Sequence, residues 1–214
     1  MIVIASDFDG TITKKDSLYD FFDTYASKNW LEVEKLWQEG QISSKECLIK
    51  EFELVDNLSS KLIEEYVKTI EIDEGFKDFC RFCKEKNIAL YVVSDGVDYF
   101  INKILENNKI ENLKVITNHG EFIEGKFKLT FPNCYSNCKN DSGTCKCKVI
   151  EDLKKKYDKL IYIGDGTSDF CVSKRADYLF AKSGLIKYCK NQNIEFEPFN
   201  NFKDIVSKVN GLID

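Results

Sequence analysis

Three apolar runs in this chain each end in a short polar cluster of one kind: Ile2 to Thr13 reads IVIASDFDGTIT, Ile88 to Gly96 reads IALYVVSDG, and Leu160 to Asp169 reads LIYIGDGTSD. Short, near-continuous apolar runs bounded by turn residues are the pattern of strands buried on both faces. Segments of helical period separate them, so the pattern predicts a parallel sheet with helices on both sides. Such sheets bind ligands at the carboxyl ends of their strands. All three clusters fall at such ends, so a single pocket can collect Asp7, Asp9, Ser94, Asp165 and Asp169. In extended chain, residues two apart point the same way, which directs Asp7 and Asp9 to one pocket and Phe8 into the core. Gly10 then permits a tight turn around a ligand.

Between the first and second clusters the period is helical for some sixty residues. Helices are expected over Ser17 to Ala26, Trp30 to Glu39, Ser44 to Val55 and Ser59 to Ile70, with Ser43 and Glu46 as a capping box and Gly40 as a stop. A further helix, Glu74 to Lys86, places its Cys80-x-x-Cys83 on an apolar face, where core packing is the favoured reading. The predicted remainder is a helix over Val97 to Glu106, a strand over Leu113 to Thr117, and a hairpin over Glu121 to Phe131 turning at Glu124-Gly125. Beyond a cysteine-rich segment come a helix through Val149, Ile150 and Leu153, a helix through Ala176, and a strand over Tyr178 to Ala181. A helix near Ile186 to Lys190, a strand over Ile194 to Phe196 and a last helix complete it. The domain reading is an α/β core, residues 1–14 and 75–214, with a helical cap over 15–74.

The charge balance, 31 basic against 36 acidic residues for a net −5, offers no footprint for nucleic acid or an anionic membrane. No run approaches the length of a membrane span, and the start of the chain does not resemble a signal peptide. A cytoplasmic protein is therefore expected. With arginine only at 81 and 175, a phosphate ligand must be met by lysine, hydroxyls, backbone N–H groups or a metal. Nine cysteines, an odd number, read as reduced thiols or metal ligands rather than a disulfide framework. Cys134, Cys138, Cys145 and Cys147 fit either a structural Zn²⁺ or a packed cysteine loop. His119 is expected in a turn with a structural role.

Taken together, DFDGTIT, the strand ending at Ser94, and GDGTSD over Gly164 to Asp169 resemble the first, second and fourth motifs of the haloacid dehalogenase (HAD) superfamily of phosphohydrolases. The helical segment after the first motif is similar to that family's cap, and the likeness covers nearly the whole chain. The fold implied is a three-layer Rossmann-like core. For the third motif, a lysine, Lys146 and Lys148 both stand in range. Lys146 is preferred because Lys-x-x-Val-Ile resembles the phosphoserine phosphatase pattern. The cysteine segment after Asn118-His119 is similar to 2-hydroxy-3-keto-5-methylthiopentenyl-1-phosphate phosphatases of methionine salvage and to phosphoethanolamine/phosphocholine phosphatases.

The resemblance implies hydrolysis of a small phosphorylated metabolite with Mg²⁺. Asp7 would be the nucleophile, forming an aspartyl-phosphate, and Asp9 the general acid and base. Asp7, the Asp9 carbonyl, Asp165 and Asp169 would serve the metal, with Thr11, Ser94 and Lys146 on the phosphoryl oxygens. Asp16 is read either as a substrate contact or as a helix N-cap. Rival readings are a phosphomutase or phosphotransferase on the same fold, a receiver-type signalling domain, and a catalytically idle zinc-stabilised interaction protein. The sequence leaves the oligomeric state open.

Overall fold

A computed structural model describes residues 1–213; Asp214, the last residue of the expected 75–214 core, lies outside the described residues. Seven strands form one sheet in the order β4-β3-β2-β1-β5-β6-β7. These are β1 (Ile2–Ser6), β2 (Ala89–Val97), β3 (Lys114–Ile123), β4 (Lys126–Thr130), β5 (Lys159–Gly164), β6 (Tyr178–Ala181) and β7 (Glu197–Pro198). All neighbours are parallel except β3 and β4.

The chain builds outward from β1 through β2 to β3 and then returns to place β5 on the other side of β1. The order therefore reverses at β1, and a crevice opens at the carboxyl ends there. Ser6 is in register with Val92 of β2 and with Ile163 of β5, so the three polar clusters emerge side by side.

The apolar runs pack as their alternation dictates. Ile4, Val92, Ile161 and Ile163 join one core with α5 (Phe76–Glu85), α6 (Asp98–Asn107) and α9 (Phe202–Ile213). Val3, Ala5, Val93, Leu160 and Tyr162 turn to the other, with α7 (Lys146–Lys154) and α8 (Ser183–Gln192). Both faces are thus covered, which is why the strands read as continuous apolar runs.

Between β1 and α5 lie α1 (Ser17–Tyr25), α2 (Trp30–Gln38), α3 (Ser44–Glu53) and α4 (Ser60–Val67). The chain leaves and re-enters the α/β layer through one antiparallel bridge, Thr13 with Ile72. Ser43 caps α3, accepting from the Glu46 N–H, and Gly40 takes φ +70° just past α2. The insert has no separate core. Phe21 and Phe52 reach Phe100 of α6 at 5.0 and 5.9 Å between ring centroids, and Phe52 reaches Phe127 of β4 at 4.8 Å.

Three local expectations are corrected. The segment after Asp169 forms no helix through Ala176; it makes a 3₁₀ turn, Thr167–Asp169, then further tight turns in which Val172 bonds to Asp169 and Arg175 to Val172. Asp169 is drawn inward by its own side chain, and Asp177 must already pair with Leu160 to start β6, so no room remains for a helix. The last strand is Glu197–Pro198, not Ile194 to Phe196, because β6 offers only Phe180 and Ala181 as partners. His119 sits within β3, which runs on into the hairpin. Glu124 and Gly125 do make that turn, both with positive φ, as a tight hairpin requires.

Candidate active site

At the end of β1 the Asp7 N–H bonds to the Ile163 carbonyl at 2.9 Å, continuing the ladder one residue past the strand. The Asp7 carboxylate is thereby fixed at the mouth of β5, 5% exposed. One of its oxygens accepts from the Phe8 N–H at 2.7 Å, and the other lies 2.8 Å from Lys146 Nζ. Lys146, the first residue of α7, is as buried as its partner, and its ammonium also meets Asp169 Oδ1 and Ser168 Oγ, each at 2.8 Å. Burial alone would discharge this lysine, but Asp169 and Asp7 outweigh it and hold it protonated well above the ordinary range. Lys148 turns the other way and pairs with Asp152 on the surface of α7.

Asp169 is fully buried with four donors around it: Tyr162 hydroxyl at 2.6 Å, Lys146, and the N–H groups of Asp165 and Gly166 at 2.9 and 3.2 Å. It therefore folds the GDGTSD loop over itself. Carboxylate oxygens of Asp7, Asp165 and Asp169 come within 4.8 Å of one another. Burial and then Asp169 raise Asp7 well above the carboxylate range, and burial pushes Asp165 up to about 6. Three clustered carboxylates, Asp7 and Asp169 buried and Asp165 half-buried, paired with one ammonium leave an excess of negative charge that suits a hard cation with oxygen ligands.

Asp9 stands apart from that trio. Its Oδ1 accepts from the N–H and hydroxyl of Ser17, the first residue of α1. Burial, with Asp16 next, pushes its carboxyl up to about 7, the value at which a group both gives and takes protons near neutrality. Ser94 lies at a break in the β2–β3 register, between Val93 and Val97. Its hydroxyl accepts from the Gly96 N–H at 2.9 Å. A Cβ on Gly96 would lie 2.9 Å from Asp9 Oδ2 and 3.1 Å from Ser94 Oγ, so that glycine lets the first and second clusters touch. Gly10, at φ +70°, does the same for Asp165, whose Oδ2 a Cβ would meet at 2.6 Å.

One expectation changes, and one open alternative takes a definite geometry. Thr11 donates its one hydroxyl proton to Asp165 Oδ1 at 2.7 Å, so that hydroxyl holds a carboxylate and is not free for a phosphoryl oxygen. Asp16 is an N-cap: exposed, it accepts from the N–H groups of Leu18 and Tyr19 at 3.1 and 2.9 Å. The cysteines also divide. Cys138 faces Cys145, whereas Cys147 faces Cys171 and Arg175. Among the described residues the thiols of Cys134, Cys138, Cys145 and Cys147 do not gather into one ligand group, because Cys147 lies in the first turn of α7, which turns it away. His119 pairs with Asp98 at 2.6 Å, outside the pocket.

Asp95 was legible only as a neighbour of Ser94, yet it ties four segments together. It accepts from the Ser44 hydroxyl of α3 at 2.9 Å, the Thr144 N–H at 2.8 Å and the Asn118 amide at 3.2 Å. Lys45 adds an ion pair to Asp141 at 2.6 Å, so the cysteine-rich loop grips the start of α3. The only earlier sign was a second acid beside a strand-end serine.

Residues 2–197 match the family described as Putative Phosphatase. Among curated proteins, the chain is 31% identical over 213 residues, 99% of its length and 96% of the relative, to a 2-hydroxy-3-keto-5-methylthiopentenyl-1-phosphate phosphatase of Geobacillus thermodenitrificans. It is 32% identical over 215 residues, covering 100% and 98%, to the Bacillus cereus protein of that name. Among solved structures it resembles a HAD family hydrolase from Salmonella enterica serovar Typhi, with TM-score 0.73, 15% identity, and coverage of 96% of this chain and 69% of that one. It also resembles a phospho-aspartyl intermediate analogue of phosphoserine phosphatase, with TM-score 0.71, 20% identity, and coverage of 96% and 97%. With a HAD-like α/β fold and a match along nearly all of its length, this chain belongs to the Putative Phosphatase family and is a phosphoric monoester hydrolase.

Proposed function

We propose that this enzyme hydrolyses 2-hydroxy-3-keto-5-methylthiopentenyl-1-phosphate through an aspartyl-phosphate on Asp7, in the cytoplasm. The observation that carries the mechanism is the Lys146 ammonium, 2.8 Å from both Asp7 and Asp169 inside one buried pocket. The substrate assignment rests on the printed names of relatives 31–32% identical over the full chain.

Asp7 Oδ attacks phosphorus in line, and the P–O bond to the alkoxide breaks. Asp9, with its carboxyl near neutrality, protonates the leaving oxygen and then takes a proton from the water that cleaves the acyl phosphate. Two like unit charges 4 Å apart repel by about 4 kcal/mol at an effective dielectric near 20, so a carboxylate nucleophile and a phosphate dianion need compensation. Lys146 provides part of it. The all-oxygen donor set fits Mg²⁺, held by Asp7, Asp165 and the Asp9 carbonyl, with Asp169 orienting Asp165. Bound there, the ion would supply positive charge to the phosphoryl oxygens. Ser94 faces the same space from β2. Residues 15–74 act as the cap, excluding water once Ser44 meets Asp95.

The test is Asp7→Asn assayed against a panel that includes the methylthio keto phosphate, phosphoserine, phosphoethanolamine and phosphocholine. Turnover should vanish for the variant, and the wild type should favour the first ester. More than about a hundredth of wild-type activity in the variant rules out nucleophilic Asp7. Preference for an amino ester rules out the substrate.

A further inference from the structure

A second group of ligand-type side chains comes together inside the helical insert. Glu34 of α2 and Cys47 and Glu51 of α3 bring a carboxylate oxygen, a thiol sulfur and a second carboxylate oxygen all within 4.8 Å of one another. Cys47 and Glu51 are four apart and share one face of α3, and Glu34 comes from the helix packed against it. Paired helices presenting ligands at such spacing are a recurrent way to build a metal site in a helical bundle.

The surroundings ask for a cation. Cys47 and Glu51 are 4% and 6% exposed. The Cys47 sulfur lies 3.9 Å from the Val33 carbonyl and 4.0 Å from Glu34 Oε2, both acceptors. Among the described residues no lysine, arginine, histidine or backbone N–H pairs with Glu51; what faces it is Cys47, Glu34 and, beyond them, Asp16. A thiol is only a weak donor, so a buried carboxylate that meets Cys47 and no counter-ion is costly, and a second acid beside it raises the cost. Burial, then Glu34, pushes the Glu51 carboxyl up to about 8, and burial raises the Cys47 thiol. Protons occupy the group where a cation would satisfy it.

We propose that Glu34, Cys47 and Glu51 form a Zn²⁺ site in the insert, distinct from the oxygen-only site around Asp7. One thiolate with two carboxylates suits a borderline-soft ion and not Mg²⁺. Zinc bonds of roughly 2.0–2.3 Å put tetrahedral ligands about 3.5 Å apart, so rotation of the two glutamates closes the group. Water fills the fourth position. Binding displaces the Cys47 and Glu51 protons to solvent, so affinity rises with pH. The ion joins α2 to α3, the helix whose first residue meets Asp95.

The test uses the full-length protein, stripped of transition metals and kept in excess Mg²⁺, titrated with Co²⁺ as a spectroscopic stand-in. Wild type should take up one equivalent with a thiolate-to-cobalt charge-transfer band that Zn²⁺ abolishes. Cys47→Ser should lose that band and that equivalent, and Glu51→Gln should weaken Zn²⁺ binding at least about tenfold. Cys138, Cys145, Cys147 and Cys171 remain in every protein, so the difference isolates the insert. No band in the wild type, or a Cys47→Ser band of full intensity and stoichiometry, overturns the site. If Cys47→Ser does not fold, wild-type Zn²⁺ affinity at pH 6 and 8 decides: a rise of tenfold or more in Glu51→Gln-sensitive binding supports it, and flat affinity overturns it.

Discussion

The Ser44 hydroxyl, at the first turn of α3, donates to Asp95 Oδ2 at 2.9 Å across the gap between the insert and the sheet. Asp95 directly follows Ser94, so this bond ties the insert to the strand end that carries Ser94. Ser44→Ala should raise KM roughly 3- to 10-fold, about the worth of one such bond, with a smaller change in kcat. Amide exchange along α3 should quicken in parallel. Equal losses in kcat and KM-independent activity at Asp7 would place the effect in the chemistry instead.

Lys146 and Lys148 make a matched pair for mutagenesis. Removing the Lys146 ammonium strands buried Asp7 and Asp169, so Lys146→Ala should lose about 3–5 kcal/mol of stability and nearly all turnover. Lys148→Ala breaks only a surface pair with Asp152 and should stay within about 0.5 kcal/mol and close to full activity. Urea unfolding with steady-state kinetics reads both.

Asp9→Asn should separate leaving groups. An alkyl ester expels a strongly basic alkoxide and should slow by about a hundredfold or more, whereas p-nitrophenyl phosphate expels a stable phenolate. Phosphoenzyme formation from the aryl ester should survive and appear as a burst, because the same carboxylate activates water for the second step. Mg²⁺ affinity should change little, since the side chain bonds to Ser17 rather than joining the carboxylate trio. Equal loss on both esters with loss of Mg²⁺ binding assigns Asp9 to the metal.

Glu51 makes stability depend on pH in metal-free protein. Its carboxyl is raised from 4.5 to about 8 in the fold, so between those values the native state binds the extra proton. Stability therefore falls as pH rises through that window. Glu51→Gln should remove this part of the slope and raise stability at pH 8 by roughly 1–3 kcal/mol, with little gain at pH 4. Thermal melts of chelated protein across that range test it, and an unchanged slope removes Glu51 as its source.

Asp16→Asn tests the cap seen at α1. Asparagine caps nearly as well as aspartate, so stability should hold, while Asp16→Ala should cost about 1 kcal/mol. Both should act alike on amino and neutral esters. Selective loss of amino esters in Asp16→Asn would return Asp16 to the substrate.

The sequence by itself determined the sheet, the strand ends and the company of Asp7, Asp9, Ser94 and Asp165. Apolar alternation and strand-end glycines are local signals, and parallel topology then forces such ends together. Lys146 over Lys148 was legible through a motif, but the ion pair with Asp7 is tertiary, since it needs α7 to start against β5. Only the folded chain decided the roles of Thr11 and Asp16, because one hydroxyl proton or one carboxylate can serve a single partner and sequence does not say which is nearer. The same holds for the thiols. Spacing grouped Cys147 with Cys145, but Cys145 is the N-cap and Cys147 the second residue of α7, so their side chains leave the backbone in different directions and Cys147 meets Cys171 instead. Glu34, Cys47 and Glu51 carried no motif at all. Their meeting depends on how α2 packs on α3, a contact set by the aromatic core beneath them rather than by any residue in the group.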